Sequence, residues 1–336
     1  MPEKLRLHAP SFWFRPPGLA SSLLRPVASM VAYEATRRRR KAGWHAPVPV
    51  LCIGNLTVGG TGKTTAVLDL AQRLQDRGMN VHCLTRGYRA ENMRPGDPVR
   101  VDLSRHTAKD VGDEALLLAA VAPCWVSPDR VASAGAAIGA GADCLIMDDG
   151  FQNPGLYKDL SLVLVDGAVG FGNGCVLPAG PLRENLAVGL NAANAVVITG
   201  KDKAGVKQTL RQWQHPILNA DLQMDETVTD LRDKAVIAFA GLARPDKFFE
   251  GLRENGVHPL NCIPFPDHHP FSDLDLSQLT HLALQAEALL VTTPKDAARL
   301  PPAFRRKVQV VGVGLHWTSP EMIESLLDHL LMEKEQ

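Results

Sequence analysis

Val50-Leu51-Cys52-Ile53-Gly54-Asn55-Leu56-Thr57-Val58-Gly59-Gly60-Thr61-Gly62-Lys63-Thr64-Thr65 decides the fold. An apolar run, a glycine-rich turn, Gly-Lys-Thr and then a helical period is the order that a phosphate-binding P-loop requires. The glycines let successive backbone N–H groups face one concavity, the helix start adds a positive end, and Lys63 neutralises the β and γ phosphates. Thr57, Val58, Gly59, Gly60, Thr61, Gly62, Lys63 and Thr64 are therefore the expected nucleotide contacts, with the Thr64 hydroxyl offered to Mg²⁺. The G-x-x-x-x-G-K-[ST] pattern wants Gly where this chain has Thr57, and Gly59 and Gly60 can supply the missing freedom. The plainer reading is a glycine-rich turn that only caps a helix.

A second phosphate-site element should be an apolar strand ending in Asp, and Cys144-Leu-Ile-Met-Asp148-Asp149 supplies it. An Asp at such a strand end holds Mg²⁺ directly or through water. Two adjacent carboxylates repel unless a cation lies between them, which favours this reading over a bare Asp-Asp-Gly turn. Which of the two takes the metal stays open.

Around these motifs, short apolar runs alternate with helical segments, the pattern of α/β units on a parallel sheet. Strands are expected at 48–53, 80–84, 144–148, 161–166 and 195–199, then in a second series at 235–240, 259–264, 288–292 and 308–313. Lys63 to Arg77 sets Leu68, Ala71 and Leu74 on one face, a helix ended by Gly78. The polar stretch from Asp221 to Asp233 separates the series. The expected class is α/β: a P-loop NTPase-like, mostly parallel sheet flanked by helices, a smaller second α/β domain, and an N-terminal amphipathic helix. The expected divisions are an N-terminal segment at 1–45, a P-loop domain at 46–228, and a smaller C-terminal domain at 229–336.

The chain has 336 residues, 45% hydrophobic and 21% charged, which is ordinary globular usage and excludes disorder or a coiled coil as a description of the whole. Lys plus Arg and Asp plus Glu each number 36, which argues against coating nucleic acid by charge. The zero is uneven: residues 1–41 hold nine Lys or Arg against two Glu, a net +7, and the remainder is −7. Leu19, Leu23, Val27 and Met30 recur at helical spacing before Arg37 to Lys41, while Arg25 and Pro26 interrupt the run and argue against a full span. Such a segment either lies on an anionic bilayer or packs as a first helix on the domain. The six cysteines are spread singly and read as small buried hydrophobes.

Further motifs extend the pattern: Ala46-Pro-Val-Pro-Val50, Arg86-Gly-Tyr88, Gly112-Asp-Glu114, Asp148-Asp-Gly-Phe-Gln152, Phe171-Gly-Asn-Gly174, Leu177-Pro-Ala-Gly-Pro-Leu-Arg-Glu184, Phe265-Pro-Asp-His268 and Lys295-Asp296. With the P-loop they run in order from 46 to 296, and on them the chain resembles the tetraacyldisaccharide 4′-kinases, the lipid A 4′-kinases of Gram-negative bacteria. The resemblance implies an ATP- and Mg²⁺-dependent enzyme. Its substrate would be an acylated glucosamine disaccharide 1-phosphate, phosphorylated on the 4′-hydroxyl to give lipid IVA. It also implies an enzyme at the cytoplasmic face of the inner membrane; a monomer is expected, and the charge balance leaves no nucleic-acid partner.

In that resemblance Asp113 is the base that accepts the sugar hydroxyl's proton, paired with His268 of the second domain, and Lys63 serves the phosphates. On residues alone, Asp113 is equally a helix-start carboxylate suited to the dipole. Glu184 is an expected additional Mg²⁺ contact beside Thr64, Asp148 and Asp149, and Arg183 an expected phosphate contact. The Thr293-Pro294-Lys295-Asp296 loop is an expected nucleotide contact, although the family usually has Glu at 294. The family also commonly has His at 153, where Asn153 can hydrogen-bond but takes no charge. The rival class is a partition or metal-chaperone ATPase, whose loop carries Lys at the position of Val58.

Overall fold

The computed structural model describes residues 9–88, 90, 94, 96–242 and 244–332. Lys4 and Arg6 of the basic head lie outside them.

The strands are β1 (Val50–Gly54), β2 (Val81–Thr85), β3 (Val99–Arg100), β4 (Cys124–Val126), β5 (Cys144–Asp148), β6 (Leu160–Asp166), β7 (Ala195–Thr199), β8 (Ile217–Met224), β9 (Val236–Ala240), β10 (Asn261–Pro264), β11 (Leu289–Thr292), β12 (Val308–Val310) and β13 (Val313–Trp317). They form two sheets. The larger has the order β13-β8-β7-β6-β1-β5-β2-β4-β3, and the smaller β10-β9-β11-β12. Seven strands of the larger sheet run parallel, and β13 and β3 close its edges antiparallel. The smaller sheet is all parallel.

Parallel strands are covered on both faces and so read as continuous apolar runs. Accordingly β1, β5, β6 and β7 are buried at every position. β1 lies between β5 and β6, the point from which later strands build outward in both directions and where open α/β sheets hold ligands. Helix α2 (Lys63–Asp76) buries Ala66, Val67, Leu70, Ala71 and Leu74 against one face of this sheet.

The expected C-terminal domain of 229–336 is cut short by the topology. β13 returns to pair with β8, and the last helix, Pro320–Met332, buries Ile323, Leu327 and Leu330 in the core that covers α2. Glu324 of that helix pairs with both Arg73 and Arg77 of α2 or its end. The expected linker from Asp221 begins inside β8, which runs to Met224. A strand that buries Leu218 and Ala220 and exposes the polar positions beyond them resembles a linker in composition.

Helix α1 (Leu19–Arg39) buries only Ser21 and Ala28 and contains Pro26. Leu19, Leu23, Val27 and Met30, the apolar stripe read from spacing, are exposed, and so is Tyr33. Among the described residues no helix is long and apolar enough to cross a membrane.

Candidate active site

The phosphate loop leaves β1 at Gly54, where a Cβ would stand 2.3 Å from the Phe151 Cβ. Only Gly lets the Asp148–Gln152 segment cross so closely. Gly62, at φ 83°, turns the chain into α2 through a conformation that L side chains avoid. Thr57 is bridged antiparallel to Leu182, the Val58 N–H donates to the Pro181 carbonyl at 2.9 Å, and the Arg183 N–H donates to Leu56 at 2.8 Å. The 177–184 motif therefore braces the loop. Thr57 is not among the residues of positive φ, so a β-branched side chain fits where the pattern has Gly.

Register places Asp148 beside Ile53, at the mouth of the loop. Its side chain is buried, and Oδ1 has no hydrogen-bond partner. Burial first, and the Glu114 charge next, push its carboxyl up to about 7. Asp149 occupies the left-handed region at φ 49°, which turns it outward to Arg183 at 3.0 Å and to Lys63 at 3.7 Å. Burial holds the Lys63 ammonium below its ordinary value, and Asp149 opposes that shift. Arg130 is also buried here and donates to the Ser127 carbonyl at 2.8 Å.

Asp113 begins the Asp113–Ala119 helix after Gly112, whose φ of 87° is open only to Gly. His268, held at φ 57° in the second domain, brings Nδ1 to 2.9 Å from Asp113 Oδ2, although the pair is off-line in angle for a hydrogen bond. Arg299 Nε stands 3.5 Å from the same oxygen. Burial raises the Asp113 carboxyl, but contact with His268 and the charges of Arg299 and Lys295 outweigh it and leave it below the usual range. Next to it, Lys295 donates to Glu114 at 2.8 Å. Asp296 is fully buried and accepts from the Gly241 N–H at 2.9 Å and the Thr293 hydroxyl at 2.7 Å, which fixes the Lys295 loop. The structure thus brings Asp113 and His268 together across the two sheets' domains. Glu114 exerts charge on Lys63 and Asp148, so the two groups of residues share one electrostatic site.

Glu184 lies at the foot of α1 and is already paired there. Both of its oxygens are occupied: Arg39 donates to Oε2 through Nε and to Oε1 through Nη2 at 2.7 Å, and Gln152 donates to Oε1 at 3.0 Å. Held this way, the carboxylate anchors the end of α1, and an Mg²⁺ contact would have to share it with Arg39 and Gln152. Asn153 points elsewhere too, its Oδ1 accepting the Gly155 N–H at 2.9 Å in a local turn. Among the described residues no three His, Cys, Asp or Glu converge as a closed metal site. A hollow of about 450 Å³ beside the Asp273–Gln285 helix is lined by Leu276, Thr280, Leu284 and Phe304 and shares no residue with this site.

Glu114, Arg299, Arg130 and Gln152 received no role from the sequence, and Arg39 only that of one charge in the basic run. Glu114 adjoins Asp113 and Arg299 follows Asp296 by one helical turn, so both were within reach of spacing arguments. Arg39 stands inside a run of four arginines that conceals its separate direction.

A parallel sheet with a P-loop on its central strand, and a second domain delivering His and Lys to carboxylates beside that loop, defines a P-loop phosphotransferase. A family model described as tetraacyldisaccharide-1-P 4′-kinase matches residues 20–331, and the chain belongs to that family. The tetraacyldisaccharide 4′-kinase of Gluconacetobacter diazotrophicus is 54% identical over 96% of this chain and 98% of its own length. That of Rhodospirillum centenum is 49% identical over 98% of both. A crystal structure of LpxK from Aquifex aeolicus in complex with ATP, 24% identical, matches with a TM-score of 0.73 over 93% of this chain and 100% of its own, which bears on the fold. The family match sets aside the partition or metal-chaperone ATPase.

Proposed function

We propose that this kinase moves the γ-phosphate of ATP to the 4′-hydroxyl of a tetraacylated glucosamine disaccharide 1-phosphate, yielding lipid IVA. The observation that carries the reading is the Asp113–His268 contact across the domains, beside carboxylates that act on Lys63. ATP lies along 57–64, and Lys63 exchanges Asp149 for the β and γ phosphates, with Arg183 alongside. A sugar hydroxyl is a weak nucleophile, so Asp113 accepts its proton as the oxygen attacks. His268, 2.9 Å away, holds that carboxylate in place.

Thr64 and Asp148 would hold Mg²⁺. A buried carboxylate oxygen with no donor fits a divalent cation better than it fits any neutral partner. When bound, the cation neutralises charge on the transferring phosphoryl group.

The exposed stripe of α1, followed by the exposed Arg37, Arg38, Arg40 and Lys41, supports peripheral seating on the anionic cytoplasmic face of the inner membrane. Every residue in this scheme comes from one chain, so a monomer suffices. The test is transfer of label from γ-labelled ATP to the disaccharide lipid by purified protein. Label on the 4′-oxygen is expected; ATP hydrolysed equally with and without lipid, and no labelled lipid, would overturn the reading.

A further inference from the structure

Four consecutive arginines end α1 and the turn after it, and they do not share one fate. Arg37 and Arg38 both pair with Glu34 on the exposed side. Arg39 turns inward: its side chain is 18% exposed and its partner Glu184 1%. The guanidinium also lies over the Phe151 ring, 4.4 Å from its centroid. A planar fork facing a carboxylate and stacked on an aromatic face is a geometry that Lys does not reproduce.

The contacts continue to the phosphate loop. Gln152 bridges Glu184 to the Asn55 carbonyl, donating to the latter at 2.9 Å. Its Oε1 accepts from Arg183 at 3.4 Å, and Arg183 holds Asp149 at 3.0 Å. Phe151, beneath Arg39, is the side chain against which Gly54 abuts. Arg39 therefore bears on the loop by two routes, through Glu184 and Gln152 to Asn55, and through Phe151 to Gly54. Because α1 buries only Ser21 and Ala28, apolar packing fixes it weakly, and this polar anchor sets where its last turn rests.

We propose that Arg39 is a positioning residue for phosphoryl transfer: from the end of α1, through Glu184, it sets the geometry of Gln152 and hence of the ATP loop. The inference rests on the kinase reading above, but its main readout, ATP affinity without lipid, does not depend on which acceptor the enzyme uses.

The test measures ATP dissociation constants by calorimetry without lipid, and kcat with lipid, on the full chain. Arg39→Ala is expected to weaken ATP binding five- to tenfold and to lower kcat at least as much, with Arg39→Lys recovering only part. Gln152→Met, which leaves the ion pair intact, should show the same loss of affinity. The double variant R39M/E184M should regain the thermal midpoint, since an apolar pair can replace a buried ion pair, yet keep the weakened ATP binding because Gln152 has lost its acceptor. Unchanged affinity in Gln152→Met, or affinity and kcat restored together with stability in the double variant, would reduce Arg39 to a structural anchor and overturn the proposal. If the unmodified protein labels no lipid, the kinase reading fails and the affinities still decide this one.

Discussion

Asp148 and Asp113 are both buried carboxylates near one loop, and their surroundings move them in opposite directions. Burial and Glu114 push Asp148 up to about 7, against an ordinary 3.8. Between those values the folded chain keeps a proton that the unfolded chain has released, so Asp148 makes stability fall as pH rises through that window. Asp148→Asn carries no such proton. Its advantage over the unmodified protein in urea unfolding is expected to grow from pH 4 to 7 by up to about 1.4 kcal/mol per pH unit, then level off. Mg²⁺ with ATP should reverse the order, because only the carboxylate attracts the cation. A difference that does not change with pH would contradict this. Asp113 behaves the other way: burial raises it, and His268, Arg299 and Lys295 more than compensate. Its contribution is present above the ordinary carboxylate value and is lost as pH falls through the lowered one, so it is ionised at neutral pH. The roles of single residues were the least legible feature in the sequence. Asp113 reads as a helix start and Glu184 as a lone carboxylate in its motif, because their partners, 155 and 145 residues away, are invisible to any local pattern.

Elements were legible where one physical signal dominated. The buried runs of β5 and β7 match their expected bounds, because fully covered parallel strands leave little polar sequence to blur their ends. α2 follows from its apolar spacing and from Gly78. β3, two residues long, and β13, exposed at three of its five positions, carry no such signal. β13 and the last helix belong to the first sheet for a reason that composition cannot express: they complete an edge and cover α2. At this scale α1 is the testable element. If its stripe meets a bilayer, Leu23→Glu with Met30→Glu should cut sedimentation with anionic vesicles several-fold and raise the KM for lipid more than that for ATP. Unchanged sedimentation would leave α1 as a helix of the domain alone.

Charged pairs bridge the two sheets, alongside the apolar packing of Met224 of β8 on the second domain's core. Besides Asp113 with His268 and Glu114 with Lys295, Asp166 at the end of β6 receives Arg244 at 2.8 Å and Lys247 at 3.2 Å from the second domain. The net zero of the sequence thus conceals both a basic head and a set of cross-domain pairs, and the head itself sends Arg39 inward. A site divided between two domains is legible only as separate motifs, since no spacing rule relates residue 113 to residue 268. In the proposed reaction Asp113 takes the sugar hydroxyl's proton at this junction. Single-turnover transfer by Asp113→Asn at saturating ATP, with the ATP dissociation constant measured on the same protein, tests this role. The expected result is transfer slowed by about 10²- to 10⁴-fold with ATP affinity within twofold of the unmodified chain. Transfer at the unmodified rate, or transfer and ATP affinity lost in parallel, would contradict it.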